Sequence, residues 1–541
     1  MPLSSIYCFM SQIRRIRQQE KKLAQQAEEA IQAAATVQPP VRHAWLWLAI
    51  ALLAPNLGAL ACNFLLDDMP LLVDNESLHI HSLSELARIW TKPYWTDRGV
   101  LTLYRPFTQT LWAAIWAIGH GGNPVVFHAL CLGLGLAVVF LLYRFLLAVH
   151  APPRSAFVAA LLFALFPIHT EATTSVAGSA ELLAAALGLG ALALFYQNQE
   201  TGEERRKMDR FALQSGLQNP FTVLTLFALA VLSKESAAAF AAIPLAFPPK
   251  NWRSRKNAFF ALGAGAIIAG SLFAHSKFSS SSFIPLVDNP MGSIEAFPRV
   301  LTALWVQCLY VFKTIFPITL SADYSFMQIP LVLGLGDWRA WAGLALAGGA
   351  LFLAIRKPLF RAPILVYAIL FASTANILFS IGTIMGERLA YAPSIGIALL
   401  LAYLLTQNRH WKTALLAIAL IYGARTAFRN LDWLNAGHFY AKLVQTSPQS
   451  AKSWYFYGAL QAGRGDDLKA VEAYDTAIAI FPEYSEAFHN RGNALARLGR
   501  RQEAMDSYRQ CLRFDPGHAG AAYNLAALAS GLPLNPARRK L

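Results

Sequence analysis

The stretch WLWLAIALLAPNLGALACNFLL, Trp45–Leu66, is apolar throughout and stops on the acidic pair Asp67 and Asp68; MPLLV, Met69–Val73, then returns to apolar residues. A bilayer core of roughly 30 Å takes about 20 helical residues, so this run reads as a membrane helix with two carboxylates at its mouth. The apolar residues that follow keep the pair near the lipid surface. Adjacent like charges in a partly desolvated place raise the proton affinity of at least one of them, which suits a general base acting on a hydroxyl.

Composition extends this reading to the whole chain. Of 541 residues 55% are hydrophobic and 14% charged, and the mean hydropathy is +0.39. That profile excludes a soluble enzyme on a single anchor and indicates a polytopic membrane protein with a smaller polar domain. The net charge of +15 lies mainly in short clusters between apolar runs, the pattern of membrane topology and not of a nucleic-acid surface. Five scattered cysteines make neither a disulfide framework nor a zinc site.

Residues 1–42 read as a cytoplasmic, basic amphipathic helix, with Arg14, Arg15, Arg17, Lys21 and Lys22 on its polar side. Trp45 onward is expected to stay as a signal anchor. Residues 67–105 form a long first outer loop in which Ser82–Trp90 reads as a short amphipathic helix capped by Ser82 or Ser84. Basic clusters at Arg144–Arg154, Arg205–Arg210, Lys250–Lys256, Arg356–Arg361 and Arg409–Lys412 belong on the cytoplasmic side by the positive-inside rule. The turns His169–Ser175, Ser233–Ser236 and Gly386–Arg388 then face outward with Asp67 and Asp68. Apolar stretches at about 45–66, 123–147, 155–167, 179–197, 218–233, 236–249, 257–274, 337–355, 361–379, 388–406 and 411–427 give about eleven transmembrane helices over residues 43–429. Val300–Phe316 is read as re-entrant or interfacial, because Pro317 and the polar SADYS follow it closely.

After Arg429 the chain changes period. Pro448, Pro482 and Pro516 are 34 residues apart, as are Tyr440, Tyr474 and Tyr508, and Gly458 and Gly492 keep the same step. This is the tetratricopeptide pattern, placing over residues 430–541 two full repeats, a half-repeat before them and a closing helix after. So short a stack needs the membrane domain as its cap, and its use is to present a concave face to a peptide. The fold class expected is therefore all-α, a polytopic helical membrane domain followed by a helical solenoid.

Ionisable residues at membrane depth are costly and mark function by default. Arg105 opens a helix after the outer loop; His169 and Glu171 follow Pro167; Glu181 reappears in the next apolar run; Lys234 with Glu235, and Glu387 with Arg388, interrupt two further apolar stretches, and Tyr391 follows. Each pair also fits an internal ion pair, and His169 a packing residue. Together they describe a polar cavity open to the outside, with carboxylates for acid–base work and cations for an anion. His169 and Glu171 have no third ligand at helical spacing, so the spacing does not support a metal, a divalent ion remaining possible, and no cofactor is implied.

The ordered motifs LLDDMPLLVDN, YRPFTQTLW with NPVVFHAL, ALLFALFPIHTEATTSVAGSAELL, LSKES, FPITLSADYS and GTIMGERLAYAPSIG, ahead of the repeats, resemble the transmembrane and tetratricopeptide-repeat-containing O-mannosyltransferases in a bacterial form. The family's GRADLL reads GSAELL here, with Ser179 in place of an arginine, and the repeats are few. The resemblance implies a C-type glycosyltransferase fold, a polyprenyl-phosphate sugar donor, mannose or another hexose, and inversion at the anomeric carbon, with the acidic motif falling on Asp67 and Asp68. In that frame Asp67 or Asp68 takes the acceptor proton, Arg105, Lys234 or Arg388 meets the donor phosphate, and His169, Glu171, Glu235, Glu387 and Tyr391 contact substrate. The partners are the lipid-linked sugar, the bilayer and an acceptor protein brought by the repeats, with no nucleic acid. The expected location is a bacterial inner membrane with active site and repeats facing the periplasm. Alternatives are transfer of sugar to a lipid or surface glycan, or a non-catalytic transporter or scaffold with a repeat docking module.

Overall fold

A computed structural model describes residues 41–80, 82–95, 103–119, 121–199, 219–278 and 284–531, together with Gln19. The basic helix expected over residues 1–42 lies outside these apart from Gln19, Val41 and Arg42, and the cluster Arg205–Arg210 lies outside them altogether. Among the described residues the chain is all-helical.

Among the described residues five helices are long and apolar enough to cross a membrane: Ala44–Ala61, Pro124–Ala148, Ser179–Gln197, Arg255–Phe278 and Trp338–Arg356. Pro153–Leu165 and Pro167–Thr174, bent by 52° at their junction, make a sixth if taken as one broken span. The bend has a local cause. Pro167 cannot continue the hydrogen-bond ladder, and it drives Phe166 out of the helical region to ψ 116°. These helices match expected spans, but a count of eleven is not established. Pro220–Ser233, Glu235–Leu245, Pro358–Phe371 and Ser394–Thr406 are apolar but short, and Trp411–Leu431 carries Lys412, Arg425 and Arg429. Val300–Phe316 falls largely in the helix Ala296–Ile315, which buries one stripe, Leu301, Ala303, Val306 and Tyr310 among it, and stops before Pro317.

Ser179–Gln197 is enclosed almost completely by its neighbours, whereas Arg255–Phe278 and Trp338–Arg356 bury little. Leu262, Leu272, Phe273, Leu351, Phe352 and Ile355 on those outer helices are exposed. Helices apolar all round with such surfaces belong in a solvent of lipid tails, where the backbone is satisfied within each helix.

The repeats follow as paired helices, Ala451–Gly463 with Asp467–Ile480 and Ser485–Arg497 with Arg501–Phe514, preceded by Ala436–Thr446 and closed by Ala519–Ser530. The 34-residue signature is a packing contact. A Cβ added at Gly458 would meet the Tyr474 ring at 2.8 Å, and one at Gly492 the Tyr508 ring at 2.6 Å, so only glycine admits the next helix's tyrosine. The stack is fixed to the membrane domain through the segments on either side of the helix Ala296–Ile315. Asp323 accepts hydrogen bonds from Ser450 and, at 2.7 Å, from Ser453, and Lys452 pairs with Asp288 at 2.5 Å. The backbones join as well, Met327 N–H donating to Gln449 at 3.0 Å and Ala451 N–H to Phe326 at 2.7 Å.

Candidate active site

The helix beginning at Ala44 loses its regular turn at Asn56, winds on as a 3-10 helix to Ala61, and delivers the chain to Asp67 and Asp68 beyond its end. The two carboxylates have different surroundings. Asp68 is 2% exposed; its Oδ1 accepts from Ala177 N–H at 2.7 Å and Ser175 Oγ at 3.1 Å. Burial pushes its pKa up to about 6, against the pull of those hydrogen bonds. Asp67 keeps its side chain 28% exposed and takes Arg388 Nη2 at 2.8 Å through Oδ2.

Arg388 joins this acidic turn to the bent helix. Its backbone N–H donates to Glu171 Oε2 at 3.0 Å, and Nη1 lies 3.6 Å from Glu171 Oε1. The distant motifs HTEATTS and GERLAYAPS thus meet LLDDMPLLVDN at one guanidinium. A second cluster lies beside it. Arg105 forks onto Glu235 at 2.9 and 2.6 Å, Lys234 pairs with Glu181, and the Arg105 guanidinium stands 4.8 Å from the Tyr94 ring centre. Of the three cations, Arg388 is the most open, its side chain 31% exposed against 11% for Arg105 and 5% for Lys234.

The remaining expected contacts sit deeper. His169 Nε2 meets Ser394 Oγ at 2.8 Å, and its ring lies between Phe163 and Tyr391, 4.5 Å from each. Glu387 is fully enclosed and accepts from Ser321 N–H and the Tyr324 hydroxyl, both at 2.6 Å. Its other neighbour is Arg429, 3.6 Å away and itself 2% exposed. As the chain stands, Glu387, His169 and Tyr391 hold the loop that carries Arg388 and do not line open space. Ser179 accepts the Trp112 indole N–H at 2.8 Å, so it serves helix packing. Among the described residues no group of three or more His, Cys, Asp or Glu is placed to hold a metal ion.

Arg429 and Tyr94 were not singled out from the sequence. Arg429 lies within the apolar helix Trp411–Leu431, so the rule that flagged Lys234 and Arg388 applies to it equally. Tyr94 carried no such signal.

Residues 277–351 match the family model described as "Protein O-mannosyl-transferase TMTC, DUF1736", and residues 485–518 a tetratricopeptide repeat. The chain resembles the TMTC protein O-mannosyl-transferases. It is 27% identical to human TMTC1 over 69% of this chain and 47% of that protein. It is 26% identical to the Caenorhabditis elegans protein O-mannosyl-transferase F38B6.6 over 82% of this chain and 64% of the relative, and 24% identical to mouse TMTC3 over 87% and 56%. The chain therefore spans about half to two thirds of the length of these relatives. Among solved structures, an Archaeoglobus fulgidus oligosaccharyltransferase tethered to an acceptor peptide matches with a TM-score of 0.37 and 16% identity, covering 80% of this chain and 58% of that one.

Proposed function

We propose that the protein is a membrane glycosyltransferase that moves a sugar, mannose or another hexose, from a polyprenyl-phosphate donor to a serine or threonine hydroxyl of a protein, with inversion. The fold it uses is a C-type glycosyltransferase fold in a bacterial inner membrane, with the site and the repeats on the periplasmic side and the acceptor protein brought in by the repeats. The observation that carries this reading is the Asp67–Arg388–Glu171 junction beyond the end of the helix Ala44–Ala61. A lipid-linked sugar presents its phosphate and anomeric carbon near the membrane surface, and this junction offers a carboxylate and a guanidinium side by side. The likeness to protein O-mannosyl-transferases supports the same class of reaction.

Within that reading the two acids divide the work. Asp68, enclosed and hydrogen-bonded, anchors the turn; Asp67, partly open, is the general base. The acceptor oxygen attacks the anomeric carbon from the face opposite the phosphate while Asp67 takes its proton, and the bond to the phosphate oxygen breaks with the electron pair leaving on phosphate. Arg388 meets that charge with parallel N–H donors. Before donor arrives the same guanidinium holds Asp67, so a phosphate that competes for Arg388 also releases the base. Arg105 and Lys234, each committed to a carboxylate, set the field behind it, while Glu171 and Glu235 hold their cations in place.

The test is reconstitution in vesicles with polyprenyl-phosphate mannose and a periplasmic protein extract, with glycosylated serine and threonine read by mass spectrometry. Wild type transfers the sugar, and Asp67→Asn loses about 10²–10⁴-fold in rate, the usual contribution of a positioned base. An Asp67→Asn protein as active as wild type removes the assignment.

A further inference from the structure

Glu387 directly precedes Arg388, so whatever fixes its side chain also fixes the backbone from which the guanidinium hangs. That side chain is fully enclosed, and its partners come from two elements that adjoin the repeats. The helix Ala296–Ile315 stops before Pro317, and the polar stretch SADYS, Ser321–Ser325, lies beyond it as a loop. From that loop Ser321 N–H and the Tyr324 hydroxyl donate to Glu387 Oε1, both at 2.6 Å. Oε2 faces Arg429, near the end of the helix that runs into the repeats, and Arg429 donates to Asp432 at 2.9 Å. The loop is gripped from its other side by the end of the half-repeat helix Ala436–Thr446. The Ser447 hydroxyl donates to the Asp323 carbonyl at 2.5 Å and meets Ser321 Oγ at 2.7 Å, and Thr446 Oγ1 lies 3.0 Å from Ser321 Oγ. Ser321 and Ser447 are both buried. A buried polar group that loses its partner costs its full desolvation penalty, so the seam holds one arrangement and passes it to Glu387.

We propose that Ser447, Tyr324 and Glu387 are positioning residues for donor binding: through the Ser321–Ser325 loop the half-repeat sets Glu387, and Glu387 sets where Arg388 meets the donor phosphate. The inference rests on the reading of Arg388 as the phosphate-binding cation. None of the three touches a reacting atom; they act through the loop that carries Arg388. The repeats therefore do more than collect acceptor, because the end of their first helix shapes the donor side of the site.

The full-length protein in vesicles tests this. Tyr324→Phe keeps the ring and removes only the hydroxyl on Glu387; Ser447→Ala removes the grip on the loop from the repeat side. Lys452→Met is the control, a change at the same seam in a residue paired with Asp288. With polyprenyl-phosphate mannose as donor and the periplasmic extract titrated as acceptor, donor KM is expected to rise about tenfold in Tyr324→Phe and in Ser447→Ala, the scale of one hydrogen bond to a charged group. The acceptor concentration for half-maximal rate stays within about twofold of wild type, and Lys452→Met leaves donor KM within about twofold. The double variant is expected within about twofold of the poorer single one, because both changes act through one loop. Unchanged donor KM in both single variants, a rise confined to the acceptor, or an equal rise in Lys452→Met overturns the proposal. Amide exchange of residues 386–389, read by mass spectrometry, supplies an arm independent of activity, since Gly386 and Arg388 N–H are both hydrogen-bonded. Exchange about tenfold faster in both single variants is expected, and wild-type rates in both overturn the coupling. A wild-type protein that transfers no sugar refutes the function proposed above, while the exchange arm still decides whether the seam holds the loop.

Discussion

Replacing Asp68 by asparagine separates an anchoring carboxylate from a reacting one. Asp68 is buried, and the balance of burial against its hydrogen bonds from Ala177 and Ser175 moves its pKa from 3.8 to about 6. Below 3.8 the carboxyl is protonated in both folded and unfolded chains, and its ionisation costs the fold nothing. As pH rises from there to about 6, the unfolded chain gives up the proton first, so stability falls; above about 6 both states are ionised and the penalty is constant. Two pKa units at 1.36 kcal/mol each give about 3 kcal/mol. Asparagine keeps an acceptor oxygen for Ala177 N–H and the Ser175 hydroxyl and carries no charge, so Asp68→Asn is expected to equal wild type near pH 4 and exceed it by about 2–3 kcal/mol at pH 8. The assay is thermal unfolding of the purified protein in detergent from pH 4 to 8. The wild-type Tm falls through pH 4–6 relative to the variant's, and the gap then stays open. Parallel curves, or a variant less stable at every pH, refute the reasoning. Sugar transfer by the variant is expected within about tenfold of wild type, far less than the loss on changing a general base.

Arg388→Ala leaves Asp67 and Glu171 without their shared cation, and a cost of about 1–3 kcal/mol in stability is expected for a pair this open, together with donor affinity weakened about tenfold or more. Arg388→Lys restores charge without the planar fork, so it recovers stability better than donor affinity; a donor titration and a melting curve on both variants separate the two effects. Gly178→Ala places a Cβ 2.6 Å from the Ala172 carbonyl oxygen, forcing the Ser175–Gly178 turn to move and withdrawing Ala177 N–H from Asp68. Overpacking of this kind costs about 1–3 kcal/mol, visible as a lowered Tm, and an unchanged Tm means that the turn gives way freely.

Much of this architecture is legible in one sequence because it follows from period and polarity. The helices Ser179–Gln197 and Pro124–Ala148 stand within about a residue of the apolar runs that announce them, and the 34-residue spacing of Gly458 and Gly492 with Tyr474 and Tyr508 is the repeat packing itself. Less legible are the segments where helices break. Glu235–Leu245 winds as a 3-10 helix containing Pro244, and Pro358–Phe371 stops short of the run expected to 379; hydropathy registers apolar residues there but not the loss of helical length.

At the site, the motifs flagged as polar interruptions do come together, since burying charge demands a partner. Which partner each would find was not readable, because pairing depends on helix rotation and on breaks such as that at Pro167. Glu387 and Arg388 are adjacent in sequence yet part company in space, one toward Arg429 and the other toward Asp67. The unequal fates of Asp67 and Asp68 are likewise a matter of the turn at Leu66, whose left-handed backbone no hydrophobic pattern announces.

The most direct test of the account is a density map of the protein with polyprenyl-phosphate mannose bound. The account predicts the phosphate on the Arg388 guanidinium, Asp67 released from it, and the Asp67 carboxylate on the side of the anomeric carbon away from the phosphate. A map with Asp67 still paired to Arg388 and the phosphate seated elsewhere would contradict it.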